Sequence, residues 1–201
     1  MNRILPQPFF LQKILLCVFA VLLSACGYNK LQELDEQVSA AWSEVVNQYQ
    51  RRAVLVPNLV ETVKAYAKHE QDVLTQVTEA RSKVGQLHMN MESLNDPASM
   101  AQFQQAQGEM TAALSRLIAV SENYPELKAN TTFENLMTQL EGTENRITTA
   151  RRRYIETVQT YNTQVRQFPS NLTAKMFGMG VKPNFTVENE ASISTAPKVT
   201  F

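Results

Sequence analysis

From Tyr28 onward, apolar residues recur at steps of three and four almost to the end of the chain, which is the period of amphipathic helices. Leu31, Leu34, Val38, Trp42, Val45 and Tyr49 form a first stripe, and no glycine or proline interrupts it. After Pro57 a second stripe passes through Leu59, Val63, Ala67, Val73, Val77, Ala80, Val84 and Leu87. Proline suits the first turn of a helix, and inside one it removes a backbone donor. The pattern therefore predicts two helices here, or one long helix bent near Val56. Asn95-Asp96-Pro97 predicts a third start, with Asp96 as N-cap and Pro97 at the first helical position. Its stripe is Met100, Phe103, Gln107, Met110, Leu114, Leu117 and Tyr124. Pro125 then forces a turn, because it disfavours helical geometry at Tyr124.

Thr131 with Glu134 reads as a capping box. It opens the longest helix, with Phe133, Leu136, Leu140, Ile147, Tyr154, Val158, Tyr161, Val165 and Phe168 along one face, ending at Phe168-Pro169. At 1.5 Å per residue that helix is roughly 55 Å long. Leu172 to Phe177 supports one short helical segment, and the chain beyond Val181 reads as extended. The expected fold is all-α, an elongated antiparallel bundle of three to four long helices with an irregular C-terminal tail.

The segment before Tyr28 is of another kind. Arg3 and Lys13 precede a short apolar run, Ile14 to Leu23, and no acidic residue accompanies them. The run reaches only about a dozen residues, against about 20 for a spanning helix. It ends at Leu23-Ser24-Ala25-Cys26, which resembles the lipobox of bacterial lipoproteins. That resemblance implies cleavage before Cys26 and acylation of its thiol, with palmitate among the expected chains. A second chain on the new amino terminus would make the anchor stable, since one chain holds only marginally. The expected organisation is a signal peptide over 1–25, a helical bundle over 26–170, and a short helix with an extended tail over 171–201 in the same domain. The protein is expected in the bacterial cell envelope, facing the periplasm. Gly27, in place of the aspartate that marks inner-membrane retention in enteric bacteria, points to the outer membrane.

Of the 201 residues, 19 are basic and 19 acidic, and the leader takes only Arg3 and Lys13, leaving 17 basic residues against 19. Such a balance gives no electrostatic footprint for nucleic acid and no basic patch for anionic lipid. The two cysteines are Cys17, in the leader, and Cys26, so the mature chain has neither a disulfide framework nor a cysteine zinc site. His69 and His88 are the only histidines, and neither lies in a His-Glu-x-x-His pattern. No glycine-rich phosphate loop and no free thiol nucleophile is present. The expectation is a protein that is not an enzyme and carries no cofactor or metal.

Charges do interrupt the stripes: Arg52, Glu70, Arg81, Glu122, Glu144 and Arg151 form a candidate inter-helix polar network. An unpaired buried charge is very costly, so such groups must pair, bind a ligand or reach water. Pairing across helices at the bundle edge would fix register. The alternative is a polar groove for a ligand.

These residues fall in blocks that resemble the LemA family. The blocks are Arg51-Arg52-Ala53-Val54-Leu55-Val56-Pro57-Asn58-Leu59-Val60-Glu61-Thr62-Val63, His69-Glu70, Ala80-Arg81, and Ser121 to Asn130. Further on come Leu140-Glu141, Thr143 to Ile147, Ala150-Arg151-Arg152, Tyr154, Tyr161-Asn162, Phe168-Pro169 and Pro197 to Phe201. Val54 stands where members carry an aspartate, and Ile155 where an asparagine follows the tyrosine. The resemblance implies an all-α bundle at the envelope with no established reaction. It also implies company with membrane metalloproteases of the HtpX type or TPM-domain proteins. Three roles follow in order: a helical scaffold or adaptor for a membrane protein or for its own copies, a peptide- or ligand-binding module, and a hydrolase using Glu144 or Glu70.

Overall fold

The computed structural model describes the backbone of residues 8–87 and 95–185, and side chains over 27–87 and 95–185. The Cys26 side chain, His88 and the tail 186–201 lie outside the described residues. Every regular element among those described is helical: α1 Pro8–Tyr66, α2 Gln71–Gln86, α3 Pro97–Ser121, α4 Pro125–Lys128, α5 Thr131–Arg166 and α6 Ser170–Met176. The chain is all-α and built on the long helices α1, α3 and α5. It divides into two compact units, one from Met1–Ala40 with Glu156–Lys182, the other from Ala41–Ile155 with Pro183–Phe201.

The larger unit is an up-down arrangement of four helices. Rising positions on α1 meet falling ones on α5: Trp42 faces Tyr154, Arg52 bonds Glu144, and Asn130 donates to the Tyr66 hydroxyl. α2 runs antiparallel to α3, with Lys83 bridged to Glu109 at 2.8 Å and Arg116 donating to Gln76. Two apolar layers result. One runs from Val56 to Leu140 and includes Val63, Val77, Met110, Leu117 and Leu136. The other is aromatic, with Trp42 5.2 Å from Phe103 and 5.3 Å from Tyr154 between ring centres, and Tyr49 5.2 Å from Phe103. Phe185 joins it from the tail, 5.4 Å from Tyr154. Residues 183–185 are held there because Tyr154 donates to the Pro183 carbonyl and Asn184 to that of Ile155.

Pro57 lies inside α1, and the helix does not break there. Proline offers no N–H to the carbonyl four residues earlier. That carbonyl, on Ala53, instead accepts from Arg81 Nε at 3.1 Å. The break comes later, in the turn 67–70, where Ala67 is fully buried and Glu70 N–H closes on the Ala67 carbonyl. Of the two expectations, a helix starting at Pro57 does not describe this region, and one long helix running through Val56 and Pro57 does. Asp96 caps α3 by accepting from the amides of Ala98 and Ser99. At α5 the cap is Asn130, which accepts from the amides of Thr132 and Phe133, so the Thr131 capping box is displaced by one residue.

In the smaller unit the buried apolar side chains are Leu31, Leu34 and Val38 of α1, Val158, Tyr161 and Val165 of α5, and Ala174 of α6. Asn162 grips Lys182 through both backbone groups, and Lys182 Nζ meets Asp35 at 2.8 Å. Phe168, expected on the buried face of α5, is 77% exposed: α5 ends at Arg166, so Phe168 no longer follows its stripe.

Candidate functional site: a carboxylate-rimmed groove over a buried arginine

Between α3 and α5 of the larger unit runs an open groove of about 580 Å³. Its lining is mainly apolar, from Leu114, Ile118, Phe133, Met137 and Leu140, while Glu122, Glu134, Glu141 and Glu144 supply carboxylates and Lys128 a cation. Helical spacing explains the division. Leu114 and Leu140 lie on the buried stripes, while Ile118 and Met137 are half-buried neighbours of that core. One step around α5 come Glu134, Glu141 and Glu144.

Arg52 lies below one end of the groove and is only 1% exposed. Its Nη1 donates to Thr111 Oγ1 at 2.9 Å and Glu144 Oε1 at 3.1 Å. Its Nη2 donates to the Gln107 carbonyl at 3.2 Å and to the Gln107 side-chain oxygen. The guanidinium also sits 5.0 Å over the Tyr49 ring. The buried cation is thus compensated by a carboxylate and neutral acceptors, as a desolvated charge requires. Glu144 differs: its side chain remains 39% exposed and opens into the groove. The pair therefore carries the interior's charge to an accessible surface. Burial pushes the Tyr49 hydroxyl above its ordinary value, and the Arg151 and Arg52 guanidiniums pull it part of the way back.

Of the six charged residues singled out in the sequence, Arg52 and Glu144 are the pair that bond directly among the described residues. Arg81 takes the Ala53 carbonyl. Glu70 accepts from the Tyr124 hydroxyl at 3.2 Å, and Glu122 is bridged to Lys128 at 2.6 Å across the groove's end. Arg151 lies 4.5 Å over the Phe185 ring, and its charge lowers the Tyr49 pKa against the effect of burial. Among the described residues no group of three or more His, Cys, Asp or Glu is placed to hold a metal ion. Gln107 and Thr111 were not singled out from the sequence. The signal was a glutamine on the α3 stripe, an expensive occupant unless a buried donor needs it.

The model of the LemA family matches residues 41–201. The chain belongs to the LemA family. Magnetosome protein MamQ 2 of Paramagnetospirillum magneticum is 28% identical over 167 residues, 75% of this chain and 61% of that protein. Magnetosome protein MamQ of Magnetospirillum gryphiswaldense is 26% identical over the same length. Protein LemA of Metamycoplasma hominis is 22% identical over 177 residues, 85% of this chain and 77% of that one. The chain spans about three fifths of the MamQ relatives' length.

The LemA blocks now have physical positions. The first carries Arg52 and Pro57 together, one supplying the buried cation and the other freeing the Ala53 carbonyl that Arg81 satisfies. The block from Ser121 to Asn130 makes the α3–α5 connection, where Leu127 is fully buried and Lys128 closes one end of the groove. Of the two departures from the LemA pattern, Val54 is 63% exposed on α1, and Ile155 offers its carbonyl to Asn184.

Proposed function

We propose that this protein is exported, acylated on Cys26 and held at the envelope as a non-catalytic adaptor. Its α3–α5 groove takes an amphipathic helix of a membrane-protein partner bearing lysine or arginine. The observation that carries this reading is the open apolar channel rimmed by Glu122, Glu134, Glu141 and Glu144. An apolar groove between helices is a common seat for a helix presenting residues at three- and four-residue steps. The carboxylate rim favours a segment whose flanks are positive. The carboxylates that a hydrolase would need have other engagements: Glu144 is tied to Arg52 and Glu70 to Tyr124. Supporting the anchor is the run Leu23-Ser24-Ala25-Cys26 behind a short apolar segment.

Photo-crosslinking in native membranes tests the adaptor. A crosslinker at Ile118 or Met137 should yield one reproducible membrane-protein adduct, while one at exposed Gln105 should not. Adducts at Gln105 as abundant as those in the groove would remove the reading, and self-adducts alone would replace it with self-assembly. Mass spectrometry of the mature N-terminus tests the anchor, with Cys26→Ser expected to abolish acylation and leave uncleaved precursor. An unmodified mature start at Cys26 would refute it.

A further inference from the structure

Helix α6 is packed inside out. Its buried residues are the small Ser170, Thr173 and Ala174, while Leu172 is 60% and Met176 68% exposed. Leu172 and Met176 stand one turn apart, so they share a face. Phe168 before the helix and Phe177 after it are 77% and 53% exposed, and Val181 is 49% exposed. A helix in water ordinarily turns such residues inward, and a contiguous apolar exposure marks an interaction surface.

The inversion is fixed by the fold. Gln164 on α5 donates to Ser170 Oγ, and Phe177 packs on Tyr28 with ring centres 4.5 Å apart. α6 ends in a Schellman cap: Gly178 at φ +68 lets Met179 N–H reach the Ala174 carbonyl at 2.8 Å and Gly178 N–H that of Lys175. The helix cannot roll its apolar face inward without losing these contacts.

Two observations say what covers the face. First, α6 lies against the start of the mature chain: a Cβ added at Gly27 would stand 3.4 Å from Thr173 Oγ1, and Phe177 meets Tyr28. Gly27 directly follows Cys26. Second, the sequence from Thr157 to Val187 contains no aspartate or glutamate, whereas Arg166 and Lys175 flank the apolar residues and are exposed. The near-neutral total charge conceals this local excess.

We propose that α6, with Phe168 and Phe177, is a second membrane contact: it lies in the bilayer interface beside the lipidated Cys26 and favours anionic phospholipid. The inference rests on the acylation reading above. A shallow amphipathic element of this kind enters about 5–10 Å into the headgroup and acyl boundary. Arg166 and Lys175 extend their charged heads to phosphate while their stems stay with the acyl chains. The contact adds a second point of attachment beside the acylated residue 26.

Because the acylated mature chain has no free thiol, a single introduced cysteine can be labelled selectively. The test uses acylated full-length mature protein carrying Leu172→Cys, Met176→Cys or, as control, Gln37→Cys, each with an environment-sensitive fluorophore. The vesicles are phosphatidylcholine with or without phosphatidylglycerol. Labels at 172 and 176 should be quenched by nitroxide lipids and shielded from iodide, more strongly with phosphatidylglycerol, and the label at 37 should behave oppositely. Labels at 172 and 176 open to iodide on a chain whose mass confirms acylation would overturn the α6 contact alone. Shielding from iodide without nitroxide-lipid quenching would also overturn it, in favour of a protein cover. A mass showing bare Cys26 would overturn the anchor, and the placement of α6 with it.

Discussion

Arg81 and Pro57 are separated by a helix break, yet they act as one device, and a double-mutant cycle measures it. Pro57 deprives the Ala53 carbonyl of its helical donor, and Arg81 Nε supplies another at 3.1 Å. Arg81→Ala in the native background removes that donor. The carbonyl then turns to water, at a cost of about 1 kcal/mol, the net worth of one such bond at a solvent-reachable site. In a Pro57→Ala background, residue 57 has its own N–H for Ala53, and the helical bond forms without help. Arg81→Ala should then cost no more than a few tenths of a kcal/mol, leaving a coupling of roughly 0.5–1 kcal/mol.

Trp42 is the only tryptophan, and it lies in the same compact unit as both residues, packed on Phe103 and Tyr154. Its fluorescence during urea unfolding of the detergent-solubilised protein therefore reports on the right part of the fold. For a chain of this size, a 1 kcal/mol loss also lowers Tm by about 2–4 °C. Additive costs within about 0.3 kcal/mol would refute the reasoning. They would mean that Arg81 holds α2 by something other than the carbonyl that Pro57 leaves open.

Three further outcomes are expected. Glu144→Ala should destabilise more than Arg52→Met, by about 2–3 against about 1 kcal/mol in urea titrations, because it strips the countercharge from a buried guanidinium whereas the half-exposed carboxylate can turn to water; the reverse order would contradict the account of the pair. Ile147→Asp, placing a carboxylate at a 4% exposed position of α5, should cost about 3–5 kcal/mol; an unchanged melting curve would show that face misassigned. Burial raises Tyr49 and Tyr154, and burial with the Asp35 carboxylate raises Tyr161 to about 12, all from an ordinary 10.0. The folded state thus favours the neutral phenols, so stability is complete below pH 10 and declines as pH rises from there towards 12. Tyrosinate absorbance should grow together with loss of helical circular dichroism, and titration of all six tyrosines near pH 10 with helicity retained would refute it.

The stripes were legible because burial on a long helix repeats with the helix itself. Leu31, Leu34, Val38, Trp42, Val45 and Tyr49 are all buried, as are Met100, Phe103, Met110, Leu114 and Leu117. Asp96-Pro97 was equally legible, since the cap bonds residues only two and three positions away. The break at 67–70 contains no glycine or proline, so punctuation did not reveal it. The spacing did not reveal it either: the buried Ala67 and Leu74 stand seven apart, as they would on one unbroken helix. Pro57 misled for the opposite reason. Its local effect is real, but the carbonyl it strands finds a donor on a side chain 28 positions from Ala53, and α1 continues. The partners of Arg52 lie 55, 59 and 92 positions away, and helical periodicity carries no information at that range. Of the groove's charges the candidate network held only Glu122 and Glu144, without showing what either meets.

α6 shows where reading by periodicity reaches its boundary. The rule that apolar residues face inward assumes water outside, and Leu172, Met176, Phe168 and Phe177 break it together, on a segment that touches Gly27 and Tyr28. A scattered breach would be ordinary, since single exposed apolar side chains are common. A breach gathered on one capped helix, with Ser170 and Thr173 buried in place of the large residues, is what the proposed membrane contact accounts for. The aromatic layer around Arg52 keeps the normal rule, with the buried guanidinium held by Thr111, Glu144 and Gln107. The two proposals therefore assign different surroundings, lipid against α6 and an amphipathic protein helix along α3 and α5. An adaptor needs both, one surface to hold it at the bilayer and another to hold its partner there.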